Sequence, residues 1–338
     1  MYSSFRPLLF KLDPETAHHL TLQLIRLAGI FPPSYWLLHG MFTAPDDPID
    51  VFGLHFINPV GLAAGYDKDG IAYRGLSTLG FGHIEIGTVT LHPQAGNPKP
   101  RVFRLVEDQA VINRMGFPGL GADYVARKLN KKKPRNLIIG VNLGKNKDTP
   151  LEEAAGDFVT LIRLFIPLAD YLVINISSPN TVGLRRLQGR AMLEVLLKEI
   201  ARERENIVSD HNRSTPLLVK LAPDLTDEEL DDAIDVILRS GMDGIIATNT
   251  TIDRDSLQSK QREETGGLSG KPLRDRSLAV LHLLVKKLNG HLPVISVGGI
   301  MNPDDARTRL DAGAALVQIY TGLVYAGPGL VKQIVSKL

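Results

Sequence analysis

Residues 217–250 read LLVKLAPDLTDEELDDAIDVILRSGMDGIIATNT. A short β-rich apolar run at 217–221 gives way to a helical stretch at 226–240, and a second apolar run follows at 244–248. Two strands joined through a helix pair in parallel, because a parallel pair needs a crossover where an antiparallel pair needs only a hairpin. The rhythm continues in both directions. Apolar runs recur near 59–63, 83–89, 137–142, 171–176, 294–297 and 316–319. Helical stretches at 69–79, 119–132, 151–167, 190–209, 273–288 and 303–312 separate most of them, and a last one lies near 329–338. Eight strands alternating with helices predict an α/β fold, a closed (β/α)8 TIM barrel.

Three segments depart from the rhythm. Residues 90–117 hold a hairpin-like pair of runs at 102–106 and 110–112, residues 250–271 are polar and Gly-rich, and a hairpin at 51–56 is placed to cap the closed bottom of a barrel. Long loops within compact domains are usually lids or binding loops. The first 45 residues read differently again, so the chain divides into an N-terminal extension, 1–45, and a barrel, 46–338. Asp13 and Pro14 make a helix start and Gly29 a stop, with Ala17, Leu20, Leu24, Leu27 and Ala28 on one apolar face. After Phe31-Pro32-Pro33, residues 34–42 are apolar almost all round, which gives a two-helix extension. Such a pair packs on the barrel or at a dimer interface, or forms a platform that dips into a membrane surface. Both readings stand at this point.

Bulk properties narrow the function. The 39 basic and 37 acidic side chains leave a formal charge of +2, without the basic footprint of a nucleic-acid binder. There is no cysteine, so the chain supplies no thiolate nucleophile, disulfide or cysteine-held cluster. The nine His are scattered without metal-ligand spacing, and no metal site is expected. Residues 1–12 lack the apolar core of a secretory signal. The longest uncharged run, 27–45, is broken by Pro32, Pro33 and Gly40, and does not read as one membrane-spanning helix.

A barrel's active site lies at the C-terminal ends of its strands, and here every run ends in polar or glycine residues. They are Ala64-Gly65-Tyr66-Asp67-Lys68, Thr88, Asn142, Asn175 to Asn180, Lys220, Thr248-Asn249-Thr250, Gly298-Gly299 and Tyr320-Thr321-Gly322. Each alone reads as a turn or cap; eight of eight points to a site. The glycines after the seventh run and Thr321-Gly322 after the eighth suit a phosphate bound by backbone N–H groups. The amides Asn142, Asn175, Asn180 and Asn249 donate and accept, which matches a ring of alternating C=O and N–H groups, a flavin or a pyrimidine. Lys68 and Lys220 supply positive charge.

At Asn175-Ile-Ser-Ser-Pro-Asn-Thr-Val-Gly-Leu-Arg185, with Asn113-Arg-Met-Gly-Phe117 and Ser296-Val-Gly-Gly-Ile300, the sequence resembles the dihydroorotate dehydrogenases, and most closely their membrane-associated, quinone-dependent class 2. The likeness covers essentially the whole chain, including Leu62 to Gly70, Glu85 to Thr90, Gly144 to Pro150, Ala247 to Thr251 and Thr265 to Gly270. Departures are mild: Tyr66 stands where Leu or Phe is commoner, and Ser296 where Gly is usual. The resemblance implies oxidation of (S)-dihydroorotate to orotate in pyrimidine biosynthesis by a flavoprotein oxidoreductase. FMN would be the cofactor, a membrane quinone (ubiquinone or menaquinone) the final acceptor, and NAD would have no part. It implies FMN contacts from Ala63, Ala64, Gly65, Tyr66, Asp67, Lys68, Thr88, Asn142, Asn175, Lys220, Thr248, Gly270, Gly299, Tyr320 and Thr321. Dihydroorotate would be held by Lys68, Asn113, Arg114, Met115, Gly116, Phe117, Asn175, Asn180, Asn249 and Thr250. Ser178 would be the catalytic base that takes the C5 proton while the C6 hydride passes to the flavin. Class 1 relatives use a Cys base, which a chain without Cys cannot supply.

The resemblance also implies that the leading helices form a quinone tunnel, with His18, Arg104 and Tyr320 as polar contacts. It implies a peripheral protein on the cytoplasmic side of the inner membrane. No GxGxxG follows a strand. Three rivals remain at this stage: an FMN barrel with a soluble acceptor, a phosphate-binding aldolase using Lys220 as a Schiff-base amine, and a non-catalytic membrane module carried by residues 1–42.

Overall fold

The computed structural model describes residues 2–211, 215–255 and 257–338. Eight strands form its centre: β1 (Val60–Leu62), β2 (His83–Val89), β3 (Ile138–Leu143), β4 (Tyr171–Asn175), β5 (Leu217–Leu221), β6 (Gly244–Ala247), β7 (Val294–Val297) and β8 (Leu316–Ile319). They pair in chain order, all parallel, and β8 closes onto β1. Every expected run became a barrel strand.

Side chains alternate across each strand, and that sorts the core into two parts. Leu172 and Ile174 of β4, Leu217, Val219 and Leu221 of β5, and Ile84 and Ile86 of β2 face outward into the large cluster beneath the helices. Tyr171, Val173, Leu218, Ile246, Ile295 and Leu316 face inward and fill the barrel. The same alternation carries Asn175, Lys220 and Gln318, each two residues beyond an inward apolar neighbour, up the inner wall toward the mouth. Small residues make room for large ones at the closed end. A Cβ on Gly61 would lie 2.0 Å from the His83 ring, and one on Gly140 2.1 Å from the Tyr171 ring. Below them the hairpin Ile49–Val51/Leu54–Phe56 inserts a fully buried Phe56, its ring centroid 5.4 Å from that of His83.

The N-terminal extension has three helices where two were expected: α1 (Tyr2–Phe10), α2 (Pro14–Ile30) and α3 (Pro32–Phe42). α1 carries Pro7 inside it and has no buried residue, so it lacks a strong apolar signature. Tertiary hydrogen bonds hold it: Tyr2 donates to the Val324 carbonyl at 2.6 Å and Arg6 to the Tyr325 carbonyl at 3.0 Å. α2 starts as expected, with Asp13 accepting from the Thr16 N–H at 2.9 Å. Gly29 does not end it. The helix runs on to Ile30, and Gly29 instead lets α2 press against the short helix Tyr73–Leu76, where its Cβ would sit 2.4 Å from the Gly75 nitrogen.

The hairpin of the 90–117 segment is present as Val102–Leu105 and Ala110–Asn113, and it gains a third strand, Gly267–Gly270, from the polar 250–271 loop. This small antiparallel sheet stands over the barrel mouth. Among the described residues no helix is long and apolar enough to cross a membrane.

Candidate active site at the barrel mouth

Inward alternation brings an interlocked set of polar groups to the top of the barrel. Asn175 at the end of β4 donates to Thr88 Oγ1 at 3.0 Å and to Asn142 Oδ1 at 2.9 Å, and Thr88 Oγ1 donates to the same oxygen at 2.6 Å. Asn142 in turn donates to Glu85 Oε1 at 2.7 Å. Glu85 is fully buried, and its carboxylate also receives Lys220 Nζ at 3.2 Å and Gln318 Nε2 at 2.7 Å. Glu85 thus places an anion under the ring of amides, and it fixes Lys220 and Asn142 from below. None of Glu85, Gln318 or His83 was expected at the site. The signal was available: in His83-Ile-Glu-Ile86 the period of two puts both polar residues on the face opposite the isoleucines.

A second polar group sits at the ends of β4 and β6. Asn249 donates to Ser177 Oγ at 3.0 Å and, through its Oδ1, receives the Thr250 N–H at 2.7 Å. Ser178 is buried, and its Oγ accepts the Asn180 N–H at 3.2 Å. Asn180 Nδ2 donates to Asn113 Oδ1 at 3.1 Å, which ties the β4 loop to the overlying sheet. Arg185 braces the base of this loop, donating to the Ser177 carbonyl at 3.0 Å, the Thr250 carbonyl at 2.8 Å and Asp224 at 2.7 Å.

One continuous cavity of about 460 Å³ joins these groups to the N-terminal helices. Its polar end is lined by Ala63, Ala64, Gly65, Tyr66, Lys68, Thr88, Asn113, Met115, Gly116, Phe117, Asn175, Ser178, Asn180, Lys220, Thr248, Asn249, Thr250, Gly270, Gly299, Tyr320 and Thr321. Those are nearly all of the expected site residues. Three stand elsewhere. Asn142 lies one layer behind, through Thr88 and Asn175. The Asp67 carboxylate is turned to the Ile71 and Ala72 N–H groups, and burial still raises it to about 6. The Arg114 guanidinium pairs with Glu264 at 2.6 Å and lies over the Phe103 ring.

The other end of the cavity is apolar, between Leu9, Phe10, Ala17, Leu24, Ile25, Leu38 and Phe42, with His18, Arg104 and Tyr320 as its polar points. Burial, with help from the charge of Lys68, lowers His18 to about 3, so this imidazole is neutral. Burial lowers Lys68 to about 8 against the opposing pull of Asp69 and Glu15, and its ammonium donates to the Gly65 carbonyl at 2.6 Å. Away from the cavity Phe5, Leu8, Leu27, Ile30, Phe31, Trp36 and Leu37 are each more than half exposed. An apolar patch on this scale marks an interaction surface.

Two features test whether a phosphorylated flavin fits. Thr248 Oγ1 is buried at the mouth with no hydrogen-bond partner among the described residues, a polar atom that a ligand can satisfy. At the β7 end Gly299 has φ +72° and no room for a side chain, since a Cβ would lie 2.2 Å from Arg274 Cα. The backbone there passes close enough to present N–H groups to an anion. Beside it the helix Thr321–Ala326 begins, its first N–H groups free of intrahelical partners. The residues fit the group.

Known proteins match along the full length. The family model described as "Dihydroorotate dehydrogenase" matches residues 48–338. A dihydroorotate dehydrogenase (quinone) of Acidithiobacillus ferrooxidans is 50% identical over 100% of this chain and 94% of the relative. One of Idiomarina loihiensis is 47% identical over the whole of both chains. The crystal structure of DHODH from Eimeria tenella in complex with ferulenol superposes with a TM-score of 0.87 at 39% identity, covering 98% of this chain and 93% of that one.

Proposed function

The chain belongs to the dihydroorotate dehydrogenase family, and on that premise we propose that it oxidises (S)-dihydroorotate to orotate in pyrimidine biosynthesis, with FMN as cofactor and a membrane quinone as final electron acceptor. One observation supports this above the others: a single cavity has a polar end built of amides and lysines and an apolar end between helices. A polar acid and a greasy acceptor each find a matching wall.

FMN would lie on Ala63 to Tyr66, Lys68, Thr88, Asn175, Lys220 and Thr248, with Asn142 behind them and its phosphate toward Gly270, Gly299 and Thr321. When bound, it supplies the two-electron acceptor that no side chain of this protein can provide. Dihydroorotate would be oriented by Asn113, Asn180, Asn249 and Thr250, with the turn 114–117 over it. The Lys68 ammonium is the partner for its carboxylate. Ser178 is the base for the C5 proton. A neutral hydroxyl takes that proton only if its own leaves in the same event, along a hydrogen-bonded chain. The Asn180 N–H on Ser178 Oγ fixes one side of the oxygen and leaves its other lone pair for the substrate.

Residues 1–45 are the quinone unit and 46–338 the FMN barrel. The exposed apolar side chains of α1 to α3 support attachment to a membrane surface; the family resemblance alone suggests the cytoplasmic side of the inner membrane, and His18, Arg104 and Tyr320 would meet the quinone head group. The test is turnover of dihydroorotate with ubiquinone or menaquinone in lipid vesicles, beside NAD as the alternative acceptor. Quinone-dependent turnover, with co-sedimentation on the vesicles, is expected. NAD-dependent turnover, or equal rates after removal of residues 1–42, would overturn the assignment.

A further inference from the structure

We propose that Glu15, on the quinone-side helix α2, is a positioning residue for the dihydroorotate half-reaction, acting through Arg101 and Asn97 on the loop that carries Ser178. The inference rests on the functional reading above and concerns how its two ends are joined.

The physical chain is continuous. Glu15 lies in the first turn of α2 with its side chain only 5% exposed, and Arg101 beside it is 9% exposed. Arg101 Nη2 donates to Glu15 Oε1 at 2.8 Å and Nε to Oε2 at 3.2 Å, a two-point ion pair that fixes the guanidinium plane. The remaining nitrogen, Nη1, donates to the carbonyls of Ala95 at 2.7 Å and Asn97 at 2.8 Å. Asn97 Nδ2 then donates to the carbonyls of Arg114 at 3.0 Å and Asn180 at 3.1 Å. Asn180 presents its N–H to Ser178 Oγ and its side chain to Asn113. Every link as far as Asn180 is a hydrogen bond to backbone or to a planar side chain, and the last runs from the Asn180 backbone N–H to Ser178 Oγ, so the chain transmits position.

The strut formed by residues 94–101 has little freedom to absorb a shift at Glu15. A Cβ on Gly96 would lie 2.3 Å from the Met115 carbonyl, and one on Gly116 2.8 Å from the Asn97 amide. Gln94 donates to the carbonyls of Gly116 at 3.1 Å and Phe117 at 3.0 Å. Loss of the Glu15 carboxylate leaves the Arg101 guanidinium buried without this counter-ion, and the other groups near the same carboxylate, exposed Lys99 and His19, are cations or neutral and cannot replace it. The strut must rearrange, and the far end of the rearrangement is the hydroxyl of Ser178.

The experiment separates the two half-reactions in the full-length holoprotein. Flavin reduction by dihydroorotate is followed anaerobically in a stopped-flow spectrometer, reoxidation by a short-chain quinone separately, and orotate affinity by its perturbation of the flavin spectrum. E15Q and N97A should each slow reduction or weaken orotate about tenfold, and E15Q/N97A should be no worse than the weaker single variant. N97A, which leaves α2 and the Glu15–Arg101 pair in place, should reoxidise with quinone at the parent rate. Reduction and orotate binding at parent values in N97A, or a double variant whose losses multiply, would overturn the proposal. Should E15Q not yield folded holoprotein, N97A decides alone on the same readouts. If the parent itself is not reduced by dihydroorotate, the functional reading fails instead, and that outcome is visible before any variant is made.

Discussion

The ion pair inside the barrel lends itself to a quantitative test. Lys220 Nζ lies 3.2 Å from Glu85 Oε1, and the two side chains are 6% and 0% exposed. K220M would leave the Glu85 carboxylate with two neutral donors, Asn142 and Gln318; E85Q would leave a buried ammonium with no counter-ion among the described residues. Breaking a buried pair from one side costs about 3–5 kcal/mol, because the other charge remains desolvated. For 338 residues the unfolding entropy is about 0.7 kcal/mol per degree, so either single variant should melt about 4–7 °C below the parent. The double variant removes both charges. The amide that E85Q introduces would meet Gln318, whose Oε1 has no partner among the described residues and can accept after a half-turn of its own amide. E85Q/K220M should therefore recover to within about 2 °C of the parent, at a cost near about 1 kcal/mol. The assay is calorimetric melting of the apoprotein, so that bound flavin does not enter. Single variants that melt with the parent, or a double variant that falls by the sum of the singles, would refute the view that this pair organises the barrel's inner ring.

Three other outcomes follow from the site. Lys68 is lowered to about 8, so its cation is complete below that pH and is lost above it; kcat/KM for dihydroorotate should fall about tenfold per unit as pH rises past about 8, and K68R should hold the limb flat to higher pH. A K68R profile identical to the parent's would remove Lys68 from carboxylate binding. S178A should retain flavin and orotate affinity while losing at least about 100-fold in the rate of flavin reduction, and a rate near the parent's would exclude Ser178 as the base. G299A places a methyl group 2.2 Å from Arg274 Cα at φ +72°, and should lose affinity for FMN but much less for riboflavin, which lacks the phosphate; equal losses for both would contradict the phosphate assignment.

Most of the barrel was legible because its signal is local. A run such as Tyr171-Leu-Val-Ile-Asn175 needs nothing beyond itself to declare a buried parallel strand, and all eight runs sit where the apolar pattern puts them. The polar residues that end those runs, such as Thr88, Asn142, Asn175 and Lys220, were legible for the same reason, whereas Asn113 to Phe117 and Gly270 lie on the overlying sheet and its loop and came only from the family resemblance. What was missed depends on distant partners. The strand Gly267–Gly270 pairs with Ala110–Asn113 across more than 150 positions, and its own residues carry no β signature. α1 is held by contacts to Val324 and Tyr325 at the other end of the chain. Gly29 reads as a helix stop by local rules, yet its purpose is the close crossing with Gly75, which only the folded chain reveals. The Glu85 ring lies between these cases: its alternation with Ile84 and Ile86 was present in the sequence, while the convergence of Lys220, Asn142 and Gln318 upon it required the closed barrel.

On the function proposed, one cavity passes electrons from a polar acid to an apolar acceptor through a bound flavin. Its most direct test is an anaerobic titration of the purified full-length protein, followed in the visible spectrum. The protein should be yellow, bleach stoichiometrically with dihydroorotate, and regain its colour on addition of quinone. A colourless protein after reconstitution with FMN, or a flavin that dihydroorotate leaves oxidised, would contradict it.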